Sequence, residues 1–160
     1  MVVSNTSPLN YLVQIGAVDL LRDLHGEIHI PRMVIAELLD PAAPQSVREW
    51  AGNPPDWLIV HEDVAIAESG LDHLHQGEAA AISWAMRHAA TLLLIDDLDG
   101  RVAARDAGLT VMGTLGVIDA AAVQGLTSFH QTLAALLVTN FRAAPKLVEA
   151  LEQRHGGGSP

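Results

Sequence analysis

Five short runs of β-branched or leucine-rich residues, "MVVS", "EIHI", "WLIVH", "TLLLI" and "LTVMG", alternate with longer stretches of helical pattern. This alternation constrains the fold more than any other feature. Strands separated by helices cannot pair as hairpins; each returns by a crossover, which yields a parallel sheet covered by helices. The pattern therefore predicts a three-layer α/β/α fold around a central parallel sheet of about four to five strands.

The connecting helices have local signals of their own. Thr6-Ser7-Pro8 predicts a helix start, with a hydroxyl cap and a proline in the first turn. "NYLVQIG" and "AVDLLRDLHG" read as two short helical stretches divided at Gly16. Pro31 opens "PRMVIAELLD", which stops before Pro41. Residues 41–56 hold four of the eight prolines and one short helix around "QSVREWA". Trp50 and Trp57 flank this connection and are expected to pin it to the core. A helix is expected through "DVAIAES", a loop through "GLDHLHQG", and the clearest helix through "EAAAISWAMRHAA". "GRVAARDAG" follows the fourth strand, and the last third is helical in three pieces. The reading is one domain over residues 1–155 with a flexible tail, "GGGSP", over 156–160.

Composition limits the function. Half of the 160 residues are apolar, enough for a core, yet no run reaches the eighteen needed to span a membrane. The N-terminus has neither the basic nor the apolar region of a signal peptide. The chain has no cysteine, which excludes disulfides and thiolate metal sites and fits a cytoplasmic location. Its net charge of -10 argues against simple electrostatic binding of nucleic acid, although less against an enzyme that meets phosphate through bound cations.

In an open parallel sheet, ligands gather at the carboxyl ends of the strands. Ser4, Asn5 and Thr6 follow the first strand run, and Asp96, Asp97 and Asp99 follow "TLLLI". Glu37 and Glu78 are unusual because each sits in an otherwise apolar helix, where an unpaired charge is costly. Each also has an ordinary explanation. Glu78 in a first helical turn meets the helix dipole, and Glu37 could lie on a wet helix face. If these groups share a pocket, two carboxylates about 4 Å apart repel by roughly 4 kcal/mol at an effective dielectric near 20. Protonation or a cation resolves such a conflict, and oxygen-only ligands suit Mg²⁺ or Mn²⁺.

Four motifs in order, "VVSNTSPLNYL", "IPRMVIAELL", "GEAAAISWA" and "LLLIDDLDGRVAARDAGLTVMGTLGVI", resemble the PIN-domain family, and especially a branch of prokaryotic PIN-like nucleic-acid-binding proteins. The resemblance runs from Val2 to about Leu147. It implies a PIN-like fold and a metal-dependent ribonuclease, an endoribonuclease using Mg²⁺ or Mn²⁺, with RNA as substrate. Related VapC-like proteins are the toxin halves of toxin–antitoxin pairs, which adds a cognate antitoxin and a homodimer as expected partners, the latter through apolar surface on the early helices. The family's acidic positions fall here on Asn5, Glu37, Glu78 and Asp97 as catalytic and metal-holding residues, with Asp96 and Asp99 as further metal candidates. Asn5 departs from the family pattern: an amide oxygen can ligate Mg²⁺ but brings no charge and cannot act as a base, so weaker metal binding is expected. Thr6 and Ser7 resemble the small polar pair that supports the first acidic residue and borders the substrate. Arg101 and Arg105, four apart on one helix face, are candidates for phosphate contact; the competing reading pairs them with Asp97, Asp99 or Asp106.

Two other readings stay open. With Asn5 in the first acidic position, the chain could be a catalytically weak or inactive PIN-like binding or regulatory module. Asp97-Leu98-Asp99-Gly100 also matches locally the Asp-x-Asp-Gly signature of haloacid-dehalogenase-type phosphatases. That signature ends the first strand and needs a later lysine, whereas here it comes late and the one lysine is Lys146. His73 and His75, without further spaced ligands, read as an exposed turn.

Overall fold

The computed structural model describes residues 1–66 and 70–156. The five apolar runs form five parallel strands: β1 (Val2–Ser4), β2 (Ile28–Pro31), β3 (Leu58–His61), β4 (Leu92–Leu94) and β5 (Val111–Met112). Their order across the sheet is β3-β2-β1-β4-β5. The chain first steps outward from β1 to β2 and β3, then crosses back to β4 on the other side of β1. The reversal point lies between β1 and β4, which is where an open parallel sheet leaves a crevice for ligands.

Nine helices connect and follow the strands among the described residues: α1 (Thr6–Gln14), α2 (Asp19–His25), α3 (Arg32–Leu38), α4 (Gln45–Gly52), α5 (Gln76–Arg87), α6 (Leu98–Asp106), α7 (Thr114–Val123), α8 (Phe129–Val138) and α9 (Pro145–Arg154). For this strand order, the right-handed crossover rule places the helices after β1 and β2 on one face and those after β3 and β4 on the other. The packing follows: α1 and α2 meet α7, while α5 lies along β1, β2 and β4 and touches α6. The helix α3 packs against both α1 and α5, a position that matters for the site.

The core is aliphatic. Leu93 and Leu94 of β4 with Ile95 just after it, Ile28 and Ile30 of β2, and Leu9 and Leu12 of α1 are fully buried. Helix α5 is buried from Gly77 to Ala85, as befits a central helix apolar almost all round. Trp50 and Trp57 pack on the core with ring centroids 6.0 Å apart, fastening the proline-rich connection.

Several local expectations change. Thr6 and Ser7 do not cap α1; Asn5 occupies the N-cap without a side-chain bond, and both hydroxyls serve carboxylates instead. Pro31 ends β2 rather than starting α3, since its extended φ and ψ still allow strand pairing with His61. No helix forms over residues 63–66, and residues 67–69 of that expected helix lie outside the described residues, as do 157–160 of the expected tail. Among the described residues, the most exposed large apolar side chains lie on later helices, with Leu98, Val123 and Val138 exposed by 69%, 58% and 88%, and not on the early ones. No helix among the described residues is long and apolar enough to cross a membrane.

Candidate active site

At the β1–β4 reversal point lies a cleft of about 600 Å³. Asn5, Glu37, Glu78 and Asp97, drawn from four separate segments of sequence, all line it. Each arrives by a different piece of local structure.

Asn5 ends β1. Its backbone N–H donates to the Leu94 carbonyl at 2.8 Å, extending the β1–β4 pairing by one residue and fixing where its side chain begins. The side chain is 4% exposed, and its Oδ1 is buried without a hydrogen-bond partner among the described residues. Glu37, near the end of α3, accepts a hydrogen bond from the Thr6 hydroxyl. Because α3 packs on both α1 and α5, this carboxylate lies between Thr6 and the start of α5.

Glu78 occupies the first turn of α5. Its Oε1 accepts the His75 backbone N–H at 3.2 Å, so one oxygen serves the helix start. The other, Oε2, is buried and unpartnered. Burial, and then the nearby Asp97 carboxylate, push the Glu78 pKa above the usual carboxyl value, with the His75 N–H pulling the other way. Asp97 caps α6, accepting the Gly100 N–H at 3.1 Å, and is itself exposed to the cleft.

The three aspartates after β4 thus have different jobs. Asp96 also borders the cleft, but its oxygens are engaged: they accept Ser7 Oγ at 2.8 Å, Thr114 N at 2.7 Å and Thr114 Oγ1 at 2.8 Å. It clamps α1, the end of β4 and the start of α7 together. Asp99 is exposed in the first turn of α6 and does not line the cleft. Arg105 is exposed and also lies away from it, whereas Arg101 lines the neighbouring groove. Neither arginine forms an ion pair with Asp97, Asp99 or Asp106, so the competing reading of that helix face does not hold among the described residues.

Two glycines make room for the carboxylates. A Cβ on Gly77 would stand 2.0 Å from Glu37 Oε1, and one on Gly100 would stand 2.8 Å from Glu78 Oε2. Gly77→Ala is therefore expected to push Glu37 off Thr6. The clash is with the end of a flexible side chain, so we expect a stability loss within about 1 kcal/mol, near the small helix-propensity difference of opposite sign. Activity should fall at least tenfold. Thermal melts beside a nuclease assay check this; a variant as active as wild type would show that the Glu37 position is not needed.

Sequence reasoning missed one wall of the cleft. Asn10 and Tyr11 of α1, His75, Phe141 and Arg142 also line it. The Tyr11 hydroxyl donates to Asn140 Oδ1 at 2.9 Å, and its ring meets Phe141 edge-on with centroids 5.0 Å apart. These contacts hold the segment between α8 and α9 over the site. Nothing in "TNFRAAP" signals this, because the contact is made over more than a hundred residues of separation.

Among the described residues, no three His, Asp or Glu side chains converge into a ready-made metal cage. The donor set nevertheless fits a hard cation. It consists only of oxygens, and two of them, Asn5 Oδ1 and Glu78 Oε2, are buried acceptors with no donor.

A family model, DUF3368, described as a PIN domain, matches residues 1–156. Among solved structures, the chain is similar to a PilT N-terminus domain protein, SSO1118, from the hyperthermophilic archaeon Sulfolobus solfataricus P2. The TM-score is 0.51 at 16% identity, over 89% of this chain and 98% of that one. At such identity the likeness speaks for the fold alone. No curated protein matches the chain by sequence.

Proposed function

The chain belongs to the PIN-domain family, whose members are usually nucleases, and from that premise we propose that it is a metal-dependent ribonuclease hydrolysing RNA phosphodiester bonds. One observation carries the reading. Asn5, Glu37, Glu78 and Asp97 meet in one cleft at the sheet's reversal point, and two of their oxygens are buried without partners. Family membership also removes the phosphatase reading of Asp97-Leu98-Asp99-Gly100, whose second aspartate does not line the cleft.

Glu37, Glu78 and Asp97 are the carboxylates that would hold Mg²⁺ or Mn²⁺, with the Asn5 amide oxygen completing the set. A bound ion of this kind lowers the pKa of water and offsets charge on an attacked phosphate. The protein's own contribution is positional. Thr6 holds Glu37, the His75 N–H holds one Glu78 oxygen, and the α6 start fixes Asp97. The backbone bond from Asn5 to Leu94 sets the amide on the β1 side of the crevice.

Asn5 also supports a second reading, a weakly active or inactive nucleic-acid-binding module. The two are separated by Asn5→Asp. With a full acidic set, Mn²⁺ affinity and Mn²⁺-dependent RNA cleavage should each rise about tenfold, in line with one added charge-assisted contact. If neither protein is stabilised by Mn²⁺ in thermal melts, the ribonuclease reading loses its mechanism. The further assignment as the toxin of a toxin–antitoxin pair rests on the resemblance to VapC-like proteins. Its discriminating observation is a small antitoxin-like reading frame beside the gene.

A further inference from the structure

The cleft does not end at the carboxylates. Asp96, Phe141 and Arg142 border both it and a neighbouring groove of about 340 Å³. On the opposite side, Thr6, Asn10 and Glu37 border a third opening of about 520 Å³. The three form one trough across the carboxyl ends of the strands, and its charge is uneven. The third opening carries Glu37 and Asp40 and no Lys or Arg. Of the nine Lys and Arg residues in the chain, Arg142 alone lines the carboxylate cleft, and Arg101 joins it in the 340 Å³ groove.

Both arginines are available. Arg142 is exposed and makes no ion pair or hydrogen bond among the described residues. The Arg101 side chain lines the groove and makes no ion pair or hydrogen bond among the described residues. Asp96 lines the groove beside the arginines, and the groove's large apolar side chains are Val111 and Met112 of β5, Leu115 of α7, Phe141, and Leu147 and Leu151 of α9. A groove of this size, with apolar side chains along part of its lining, one arginine at its wall and a second, exposed one at its mouth, suits a nucleobase attached to a phosphate.

We propose that this groove is the subsite for the nucleotide next to the scissile bond of single-stranded RNA, an inference that rests on the ribonuclease reading. Arg142 takes the phosphate that joins that nucleotide to the one in the carboxylate cleft. The base enters the groove, and the Arg101 guanidinium that lines it donates to the base's edge. The direction of the strand follows from the charge: in a chain of net charge -10, the phosphates leave the cleft by the side that carries cations.

The test uses a fluorescein-labelled single-stranded RNA and two readouts on the full chain: anisotropy titration in EDTA at several KCl concentrations, and Mn²⁺-dependent cleavage. Arg142→Ala is expected to weaken binding about tenfold and to reduce the slope of log K against log salt by about 0.7, the share of one single-strand phosphate. Its KM should rise by more than its kcat falls. Arg101→Lys keeps the charge but removes the planar fork of donors; it should change the ranking of RNAs that differ only in the base next to the cut. Arg87→Ala, exposed and away from the trough, serves as the control and should match wild type on every count. If wild type cleaves RNA but Arg142→Ala keeps the wild-type affinity, salt slope and KM, the subsite is overturned and the ribonuclease reading stands. If wild type neither binds nor cleaves RNA, both fall.

Discussion

Replacing Glu78 by Gln is expected to give a protein that melts higher without metal and cleaves RNA at least about 10²-fold more slowly. The two effects have one cause. Glu78 is 5% exposed, has one oxygen without a partner and sits beside Asp97. Burial first, and Asp97 second, raise its pKa above the ordinary 4.5. A carboxyl whose folded pKa is raised binds its proton more tightly folded than unfolded, so stability falls as pH rises from the ordinary value through the folded one. Above its folded value the metal-free protein carries that penalty in full. Glutamine removes it while keeping the shape and the acceptor for the His75 N–H. We expect a gain of about 1 kcal/mol, hence roughly 2–4 °C in Tm for a chain of this size. Below pH 4.5 the difference should vanish. Adding Mn²⁺ should reverse the order, because only wild type then gains the full benefit of a bound cation. The activity loss follows from removing a charge aimed at the reacting centre, an effect commonly worth 10²–10³ in rate. A Glu78→Gln protein that melts below wild type in EDTA at pH 7 would mean the carboxylate is held for stability, and the site would lose its strained member.

Asp96→Ala is expected to produce the largest loss of stability of any substitution near the cleft. Three donors converge on this side chain, two of them from Thr114, which is 0% exposed. Alanine would leave the Thr114 N–H and hydroxyl buried without an acceptor and would uncouple α7 from β4 and α1. Each buried unsatisfied group costs about 1–3 kcal/mol, and with Asp96 itself only half-buried, water can repair part of the damage. We expect a net loss of about 3 kcal/mol, or roughly 6–12 °C in Tm. Denaturant titration of the single variants and of Asp96→Ala with Thr114→Val gives the coupling: the double variant should cost less than the sum, because the valine no longer presents an orphaned hydroxyl. Strict additivity would mean that the clamp contributes nothing as a unit. One residue along, Asp97 is exposed and Asn caps a helix as well as Asp does, so Asp97→Asn should leave the stability nearly unchanged.

Much of this architecture is visible in the residues themselves, and for local reasons. Leu93 and Leu94 lie in a run that can only be a buried strand, and Gly77 and Glu78 open a helix too apolar to be anywhere but the centre. Strand ends and helix starts are local events, so Asn5, Glu78 and Asp97 could be placed before the fold was known. What the residues do not reveal depends on distance along the chain. Thr6 looks like a cap, but it bonds to Glu37, 31 residues away. Ser7 finds Asp96 at a separation of 89 residues, which converts an apparent metal ligand into a clamp. Arg142 borders the cleft beside Asn140, which Tyr11 bonds across 129 residues of separation, and Phe141, on which the Tyr11 ring packs. Pro31 shows a different limit: its fixed φ suits a helix start and a strand end equally, and pairing with His61 decides between them.

The central claim is that the four residues at the sheet's reversal point form a hydrolytic metal site. Asp97→Asn tests it most directly, because the change removes one charge, keeps the α6 cap and leaves the Asp96 clamp untouched. Wild type and variant, purified side by side and shown to melt alike in EDTA, should be compared for RNA cleavage in Mn²⁺. The expected result is cleavage by wild type and a loss of at least about 10²-fold in the variant. Equal rates in the two preparations would contradict the account, since the cleavage would then come from something other than this site.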